Sequence, residues 1–434
     1  MDALPKFPPG FLWGVSTAAY QIEGAVAEDG RGRSIWDTFA HTPGRVRDGD
    51  TGDVACDSYH RWAADVDLLT GLGVTAYRFS IAWPRVQPDG SGPANPKGLD
   101  HYDRLVDALL RRGIAPVPTL FHWDLPQALE DTGGWLSRDT SYRFAEYAAL
   151  VAERLGDRVT RWITLNEPVV HMAQGYAWGT HAPGRTLELG ALPVAHHQLL
   201  GHGLAVRALR ERGATQVMIT NNCTPVRPAG PARHDVEAAA IYDAFHNGLF
   251  MDPVLTGAYP PAVAPPARDG DLEIIATPLD AIGINYYNPT RIGAPADGDP
   301  LPFTVLPIEG VPVTAFGWPV VPAGLRDLLV GLSDRYGDAL PPVLITENGC
   351  STGDVLDDTD RVRYLDAHLR ALHEAIAAGV DVRGYFVWSL LDNFEWAYGY
   401  TKRFGLIHVD YETQQRTLKD SARWYSSVIA ANRL

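Results

Sequence analysis

The sequence predicts a (β/α)8 barrel, an α/β fold in which eight parallel strands alternate with eight helices. Short apolar runs that suit buried strands recur at roughly regular intervals, and a stretch with a helical pattern follows each of them. Turns from a helix into the next strand are short, whereas several turns from a strand into the next helix are long. Alternating strands and helices favour a parallel sheet, and eight repeats are enough to close it into a barrel.

Eight strands and eight helices can be placed along the chain. The strands are predicted near residues 11–15, 74–79, 115–121, 161–165, 217–220, 281–286, 343–346 and 384–388. The helices are predicted near residues 59–69, 99–111, 141–154, 194–210, 236–249, 325–335, 362–377 and 422–429. No second domain or low-complexity tail is apparent, so residues 1–434 are predicted to form one domain.

The turns indicate which face of the barrel carries the chemistry. A glycine, which ends a helix without strain in the left-handed conformation, follows six of the predicted helices: Gly73, Gly113, Gly156, Gly213, Gly337 and Gly379. The connections after strands one, four, six and eight run to about 20 residues or more, well beyond the usual few. The one after strand six is rich in proline and carries Phe303, Phe316 and Trp318, which predicts an ordered flap. Functional loops of such barrels follow the strands, so the site is expected at their carboxyl ends.

Composition excludes several classes of partner. The chain has 37 basic and 52 acidic residues and a formal charge of −15, with no basic run, which argues against nucleic acid or an anionic membrane. No apolar run reaches membrane-spanning length. Three widely spaced cysteines and an opening stretch, residues 1–6, without signal-peptide features lead us to expect a cytoplasmic protein. Nothing in the pattern predicts an oligomeric state.

Two carboxylates stand at predicted strand ends in the same local pattern. In residues 343–349 an apolar strand runs into Glu347 and then into a turn, and in residues 160–168 a strand runs into Glu167 and then Pro168. Proline cannot donate to a ladder, so it ends the strand. Two carboxyl groups at one rim suit a reaction that needs a nucleophile and a proton donor.

Other polar and aromatic side chains also fall at predicted strand ends. Each has an ordinary structural explanation when taken singly, but closure of the barrel would bring them around one mouth. They are Gln21, Glu23, Arg78, His122, Trp123, Asp124, Asn166, Asn285, Tyr286, Tyr287, Asn348, Trp388, Glu395 and Trp396.

These blocks, in this order, resemble glycoside hydrolase family 1, the β-glucosidase family. The similarity runs over about residues 7–424 and rests on Phe-Leu-Trp-Gly at 11–14, Tyr-Gln-Ile-Glu-Gly at 20–24, Phe-His-Trp-Asp-Leu-Pro at 121–126, Thr-Leu-Asn-Glu-Pro at 164–168, Ile-Thr-Glu-Asn-Gly at 345–349 and Asn-Phe-Glu-Trp at 393–396. The resemblance implies a (β/α)8 barrel and retaining hydrolysis of β-glycosides without a metal or organic cofactor. It assigns Glu347 as nucleophile and Glu167 as general acid/base.

The resemblance also implies roles for the surrounding residues. Asn166 would bind the 2-hydroxyl, and Gln21, His122, Glu395 and Trp396 would bind the 3-, 4- and 6-positions. Trp388 would form an aromatic platform, Phe404 would close the 6-hydroxyl side, and Trp318 would line the aglycone side. As a hypothesis, Arg78 and Tyr287 keep Glu347 ionised, with Asn285 in support, and the charge of Glu347 raises the pKa of Glu167.

The expected substrates are β-linked glucosides, including cellobiose and aryl or alkyl β-glucosides. Three alternatives on the same scaffold stay open: β-galactosidase or β-fucosidase specificity, a 6-phospho-β-glucosidase suggested by Lys402 beside Phe404, and a non-catalytic sugar-binding relative. Val169 stands where many relatives carry a bulky aromatic residue, so the aglycone preference is open.

Two other enzyme classes are not favoured by the sequence. The spacing of His196, His197 and His202 does not match the motif of a zinc hydrolase. A dinucleotide-binding enzyme would carry G-x-G-x-x-G after the first strand, and this motif does not follow it.

Overall fold

The structure is a computed structural model that describes residues 5–296, 298 and 301–434, and its central element is a closed barrel of parallel strands. Residues 1–4, part of the stretch judged to lack signal-peptide features, lie outside the described residues. Within the described chain the barrel strands are β1 (Leu12–Ser16), β2 (Ala76–Ser80), β3 (Ala115–Phe121), β4 (Arg161–Asn166), β5 (Gln216–Asn222), β6 (Ile282–Asn285), β7 (Val343–Asn348) and β8 (Val382–Trp388). Each pairs in parallel with its sequence neighbours, and β8 closes on β1. The predicted (β/α)8 barrel is confirmed.

The predicted helices are present, most of them a few residues longer than expected. They are α1 (Ser58–Leu72), α2 (Pro96–Arg111), α3 (Asp139–Leu155), α4 (Leu192–Arg210), α5 (Arg233–Asp243), α6 (Pro322–Tyr336), α7 (Thr359–Ala377) and α8 (Asp420–Ala431). Among the residues that the structure describes, none of the helices has the length and apolar character needed to cross a membrane.

The helix predicted at 236–249 differs from the expectation. Helix α5 ends at Asp243, a π-helical turn occupies Ala244–Gly248, and a further helix runs over Leu249–Thr256. The side chain of Asn247 bonds to both the N–H and the carbonyl of Thr224, at 3.1 Å and 2.8 Å. These contacts tie the turn to the segment after β5. A hydrogen bond to a distant backbone is invisible to helical periodicity, so the sequence pattern showed one continuous helix.

Five of the six helix-ending glycines have a positive φ, between 50° and 102°, as expected, although the ψ of −126° at Gly337 lies outside the left-handed helical region. Gly156 is the exception, because its φ is −67° and it caps α3 in a right-handed conformation. A Cβ at Gly156 would overlap the carbonyl oxygen of Ala152. Glycine is needed there for close backbone approach, so the predicted left-handed cap is wrong at this position.

Most of the short elements lie in the loops that follow the strands. The short helices are Ala19–Ile22, Ile35–Ala40, Arg47–Gly49, Trp83–Val86, Gln127–Glu130, Gly134–Leu136, Pro168–Val170, the π-helical His171–Ala177, Glu188–Ala191, Asp271–Ile275, Gly337–Ala339 and Trp396–Tyr398. The short strands Val226–Pro228, Thr290–Gly293 and Thr304–Leu306 form one sheet, and Ile407–Val409 pairs with Arg416–Leu418. The flap after β6 therefore contains regular structure, and its Phe303 packs with Ala238, Ala239 and Ile292.

The inside of the barrel changes from apolar to polar along its axis. Side chains from or beside all eight strands join an apolar cluster separate from the main core: Leu12, Ala76, Ala115, Val117, Ile163, Met218, Ala281, Leu344 and Phe386. A Cβ at Gly14 would overlap the ring of Phe386, so glycine makes room for this plug. Further along the strands, Arg78 donates to Thr119 Oγ1 at 3.2 Å, and Ser16 Oγ donates to the carbonyl of Thr346 at 2.9 Å. The polar layer supports the carboxyl end of the barrel, where the cavity lies.

Candidate active site

A cavity of about 460 Å³ opens at the carboxyl end of the barrel. Ten of the residues singled out from the sequence line it: His122, Trp123, Glu167, Tyr287, Trp318, Glu347, Trp388, Glu395, Trp396 and Phe404. Four others, Gln21, Arg78, Asn166 and Asn285, lie behind its wall and are connected to the lining by side-chain hydrogen bonds or by chain neighbours. The structure therefore brings these fourteen residues together. It does not place Glu23, Asp124, Tyr286 or Asn348 in the lining, because these side chains are buried behind it and three of them have other partners: Glu23 pairs with Arg85, the Tyr286 hydroxyl donates to the carbonyl of Val321, and Asn348 donates to the carbonyl of Tyr286.

The two strands that carry the acids are irregular immediately before them. Ile163 pairs with Met218 and Asn166 pairs with Thr220. Between these two pairs β4 advances by three residues and β5 by only two, so β4 has an extra residue. Ile345 pairs with Ile284 and Glu347 pairs with Asn285, so β7 advances by two residues where β6 advances by one. An extra residue of this kind re-aims the side chains beyond it, and such bulges concentrate beside active sites. Both acids are turned into the cavity in this way.

Glu347 lies in an ionic environment. Arg78 Nη1 donates to Glu347 Oε1 at 2.6 Å, and the hydroxyl of Tyr287 donates to Oε2 at 2.7 Å. Arg78 is 1% exposed and Glu347 3% exposed, so water screens this pair poorly. Burial and the charge of Glu347 raise the pKa of Tyr287 well above its usual value, so the phenol stays a donor. Glu347 thus has a cation and a neutral donor on its two oxygens.

Glu167 lies in a different environment, with amide donors and, among the described residues, no directly bonded cation. Asn222 Nδ2 and Asn285 Nδ2 donate to Glu167 Oε1 at 2.9 Å and 2.8 Å. Burial, followed by the charge of Glu347, raises the pKa of Glu167 to about 8. Its backbone has φ 44° and ψ 59°, a left-handed conformation that costs a non-glycine residue about 1–3 kcal/mol. A hydrogen bond of 2.9 Å, donated by the backbone N–H of Glu167 to the carbonyl of Thr220, helps to hold this conformation.

A network of side chains joins the two acids beneath the cavity. Arg78 Nη2 donates to Asn166 Oδ1 at 2.5 Å, and Asn285 Nδ2 donates to the same oxygen at 3.1 Å. Arginine has donors only, so the oxygen of Asn166 must face it, and the amide nitrogen then faces His122 Nε2 at 3.0 Å. The chain from Glu347 through Arg78, Asn166 and Asn285 reaches Glu167, so the two acids share one bonded framework.

The buried guanidinium leads to a stability prediction. Substitution Arg78→Met removes the cation but leaves Glu347 buried, and breaking a buried pair in this way costs about 3–5 kcal/mol. We expect the free energy of unfolding in guanidinium chloride to fall by that amount. The double variant Arg78→Met/Glu347→Gln should be destabilised by less than the sum of its two single variants, since no buried charge is left over. If the double variant lost as much stability as the two single variants together, a direct interaction between Arg78 and Glu347 would be contradicted.

Three site residues keep polar atoms without a hydrogen-bond partner in the part of the chain that the structure describes. These three, all predicted from the sequence, are Gln21 Oε1, His122 Nδ1 and Glu395 Oε2, and the lining residue His181 adds its Nδ1. Burial and the charges of Glu347 and Glu167 raise the pKa of Glu395 to about 8, while burial and the neighbouring Arg78 lower that of His122. Since His122 Nε2 accepts from Asn166, its Nδ1 carries the hydrogen. Buried polar groups are rarely left unpaired, so these atoms are suited to a polyhydroxylated ligand.

Aromatic rings form the remaining walls. His122 stacks between Trp388 and Trp396, with ring centroids 5.8 Å apart in each case. On the flap, Trp318 stacks on Phe316 at 4.2 Å. Trp123 and Trp396 have φ of 77° and 50°, so two further lining residues share the positive φ of Glu167. The combination of flat apolar rings and unpaired polar atoms matches the two faces of a sugar.

Several lining residues were not predicted to act at the site. They are Val170, Gln174, Thr180, His181, Asn222, Phe316, Ala397 and Tyr398. Val170, Gln174, Thr180 and His181 come from the long loop after β4, whose π-helical segment breaks any helical pattern. Asn222 ends β5, but in the sequence it stands out only as the start of Asn-Cys-Thr, a glycosylation acceptor pattern. Val169 is buried, and it is Val170 that lines the described cavity.

The histidines considered for a metal site have separate partners. His196 contacts Asp271 and Tyr259, His197 contacts the carbonyl of Trp135, and His202 contacts Thr164. Among the described residues, no group of three or more His, Cys, Asp or Glu side chains is arranged to hold a metal ion.

Comparison with known proteins gives the family. The family model "Glycosyl hydrolase family 1" matches residues 4–434. The thermostable beta-glucosidase B of Thermobispora bispora is 53% identical over 99% of this chain and 92% of its own length. The bifunctional beta-D-glucosidase/beta-D-fucosidase of Bifidobacterium breve is 47% identical over 98% of each chain. The solved family 1 β-glucosidase from Thermotoga maritima covers 100% of both chains with a TM-score of 0.96 and 45% identity. On this whole-length similarity, the chain belongs to glycosyl hydrolase family 1 and is a glycoside hydrolase.

Proposed function

We propose that this protein is a retaining β-glucosidase that removes terminal β-D-glucosyl residues from cellobiose, short oligosaccharides and aryl or alkyl β-glucosides. The observation that carries the proposal is the contrast between two buried carboxyl groups in one cavity. Glu347 bonds to a guanidinium and a phenol, whereas Glu167 bonds to two neutral amides and has its pKa raised to about 8. Environments that separate two carboxyl groups in this way suit a nucleophile and a proton donor.

In the proposed reaction Glu347 attacks the anomeric carbon while Glu167 gives its proton to the departing glycosidic oxygen. The glycosyl ester neutralises Glu347 and so removes one of the two causes that raise the pKa of Glu167. Glu167 can then take a proton from water, which attacks the same carbon and releases the sugar with its configuration retained. The shared network through Arg78, Asn166 and Asn285 supports the short separation that direct attack requires, about 5 Å.

We assign the sugar-binding roles from the same contacts. Asn166 would bind the 2-hydroxyl, and the unpaired atoms of Gln21, His122 and Glu395 would bind further hydroxyls. Trp388 and Trp396 would pack on the sugar, Phe404 would close the side of the 6-hydroxyl, and Trp318 would meet the aglycone. Hydroxyl donors would also favour the ionised form of Glu395, because a carboxylate accepts from two of them.

The experiment that tests the proposal is a kcat/KM panel over p-nitrophenyl β-glucoside, β-galactoside, β-fucoside and 6-phospho-β-glucoside, with cellobiose alongside. We expect the glucoside and cellobiose to be cleaved, and β-fucoside, which lacks the 6-hydroxyl, to be the second substrate, in keeping with the name of the B. breve relative. Cleavage of none of these compounds would favour a sugar-binding protein and overturn the proposal.

A phosphorylated substrate is expected to be the poorest of the panel. Lys402 already donates to the carbonyl of Ala315 on the flap at 2.8 Å and lies over the rings of Phe316 and Tyr398. Glu395 would in addition repel a phosphate at the 6-position. A 6-phosphoglucoside that exceeded the glucoside in kcat/KM would contradict this assignment.

The pH dependence follows from Glu167. It must be protonated to act as an acid, so kcat/KM for an unactivated glucoside should fall as pH rises through about 8, the pKa of Glu167. Glu395 titrates in the same range, so the observed limb belongs to the coupled pair. In Glu167→Gln, measured with the same unactivated glucoside, the part of the high-pH fall in kcat/KM that is due to Glu167 should disappear. An unchanged limb in that variant would assign it elsewhere.

We further propose a cytoplasmic location. Its support is the state of Cys56, Cys223 and Cys350, which are buried and unpaired with one another. Free thiols of this kind are usual in a reducing compartment.

A further inference from the structure

One oxygen of Glu167 receives two amide donors from different strands. Asn222, at the end of β5, and Asn285, at the end of β6, both donate to Oε1. A carboxyl oxygen has two lone-pair directions, so a proton on Oε1 would have to displace one of these donors. In the described part of the chain no amide is aimed at Oε2. The proton is therefore directed to Oε2.

The orientation of Asn222 is set by a residue outside the cavity. His246 Nε2 lies 3.1 Å from Asn222 Oδ1, and the hydroxyl of Tyr242 lies 3.4 Å from His246 Nδ1. Because the amide nitrogen of Asn222 faces Glu167, its oxygen faces the imidazole, and Nε2 must carry the hydrogen. Burial lowers the pKa of His246 to about 4, so the ring is neutral at ordinary pH.

The π-helical turn explains how His246 reaches this position. His246 lies within Ala244–Gly248, and Asn247 beside it is bonded to the backbone of Thr224, two residues after Asn222. An ordinary α-helical continuation of α5 would rotate the ring to another face, since each added residue turns a helix by about 100°. Isolated π turns are often found at functional sites.

We propose that Asn222, oriented by His246, is a positioning residue that keeps the proton of Glu167 on Oε2 and stabilises the carboxylate formed when that proton leaves. The inference rests on the proposed acid/base role of Glu167. The proton passes from Oε2 to the glycosidic oxygen as the C–O bond breaks, and Oε2 later takes a proton from water. Oε1 keeps both amide donors throughout, so neither step needs the side chain to rotate.

The test substitutions do not alter the charged groups around Glu167. Those facing Glu167 are Glu347, Arg78, Tyr287, Glu395 and Cys223. His246 faces Asp243, which is paired with Arg335. Substitution of Asn222 changes no formal charge, so its effect on Glu167 comes through the hydrogen bond.

The test follows the titration of Glu167 in the ligand-free enzyme by infrared spectroscopy, with its protonated C=O band assigned by its absence in Glu167→Gln. Substitution Asn222→Ala should raise the pKa of Glu167 by about one unit, the scale of one hydrogen bond to a charged group. His246→Leu should raise it by less, because Asn222 remains but can turn. His246→Gln, whose amide can stand in for Nε2–H, should restore the wild-type value.

His202→Leu is the matched control, because His202 is also buried but bonds to Thr164 rather than to the framework of Glu167. It should leave the titration of Glu167 unmoved. An unchanged titration in both Asn222→Ala and His246→Leu would overturn the inference, as would an equal shift in His202→Leu. The titration uses no substrate, so this failure is distinct from failure of the proposed function, which would show as a wild-type enzyme that does not cleave β-glucosides.

Discussion

Glu167→Gln should lower kcat/KM for cellobiose by roughly 10³–10⁴-fold, at the upper end of what a positioned acid contributes. The loss for dinitrophenyl β-glucoside should be far smaller, because a dinitrophenolate departs without a proton. The amide keeps the size of the side chain, so the hydrogen bonds of Asn222 and Asn285 to an oxygen at this position can persist. The measurement is a plot of log kcat/KM for a series of aryl glucosides against the pKa of the leaving phenol. The slope should be steeper for the variant than for the wild type.

Glu395→Gln is a suitable comparison, because Glu395 is a second buried carboxyl group in the same cavity with its pKa raised to about 8. If Glu395 binds the sugar, its replacement should lower kcat/KM for all the glucosides by a similar factor and leave the slope unchanged. An equal loss for good and poor leaving groups in Glu167→Gln would remove Glu167 from the role of proton donor.

The placement of the two acids could be predicted because parallel strands bring their carboxyl ends to one rim. A strand that ends in Glu347 and another that ends in Glu167 must then approach one another, whatever the details of the loops. The same reasoning placed Tyr287 and Trp388 correctly at the cavity. Strand periodicity and closure of the barrel were sufficient for this level of description.

The fine geometry depended on contacts that periodicity does not encode. The bulges before Asn166 and Glu347 appear only when a strand is matched against its neighbour. The support of Glu167 by Asn222 depends on which way an amide faces, and this in turn depends on His246 in an unpredicted π turn. Likewise, the raised pKa of Glu395 reflects its burial beside two other carboxyl groups. Such features are set by tertiary neighbours and not by local pattern.

Glu347→Gln should be the most damaging single substitution, with kcat falling by up to about 10⁶-fold, the scale measured when a hydrolase loses its attacking group. The amide nitrogen cannot attack the anomeric carbon, and it would also leave Arg78 without its anionic partner. In contrast to Glu167→Gln, the loss should be the same for good and poor leaving groups, because both need the attack. The aryl glucoside series used for Glu167 measures this directly, and a strong dependence on the leaving group would contradict it.

A covalent trap separates the two acids independently of rates. With 2-deoxy-2-fluoro-β-glucosyl fluoride, the ring fluorine slows both steps through their oxocarbenium-like transition states, while the fluoride leaving group keeps the first step fast enough for the ester to accumulate. We expect one fluoroglucosyl group per chain, located by peptide mass spectrometry on Glu347, and none in Glu347→Gln. Glu167→Gln should still be labelled, since fluoride departs without proton donation, but it should release the label more slowly than the wild type because no base activates water. A label on Glu167 or Glu395 would reverse the assignment, because the residue that carries the sugar is the one that attacked it.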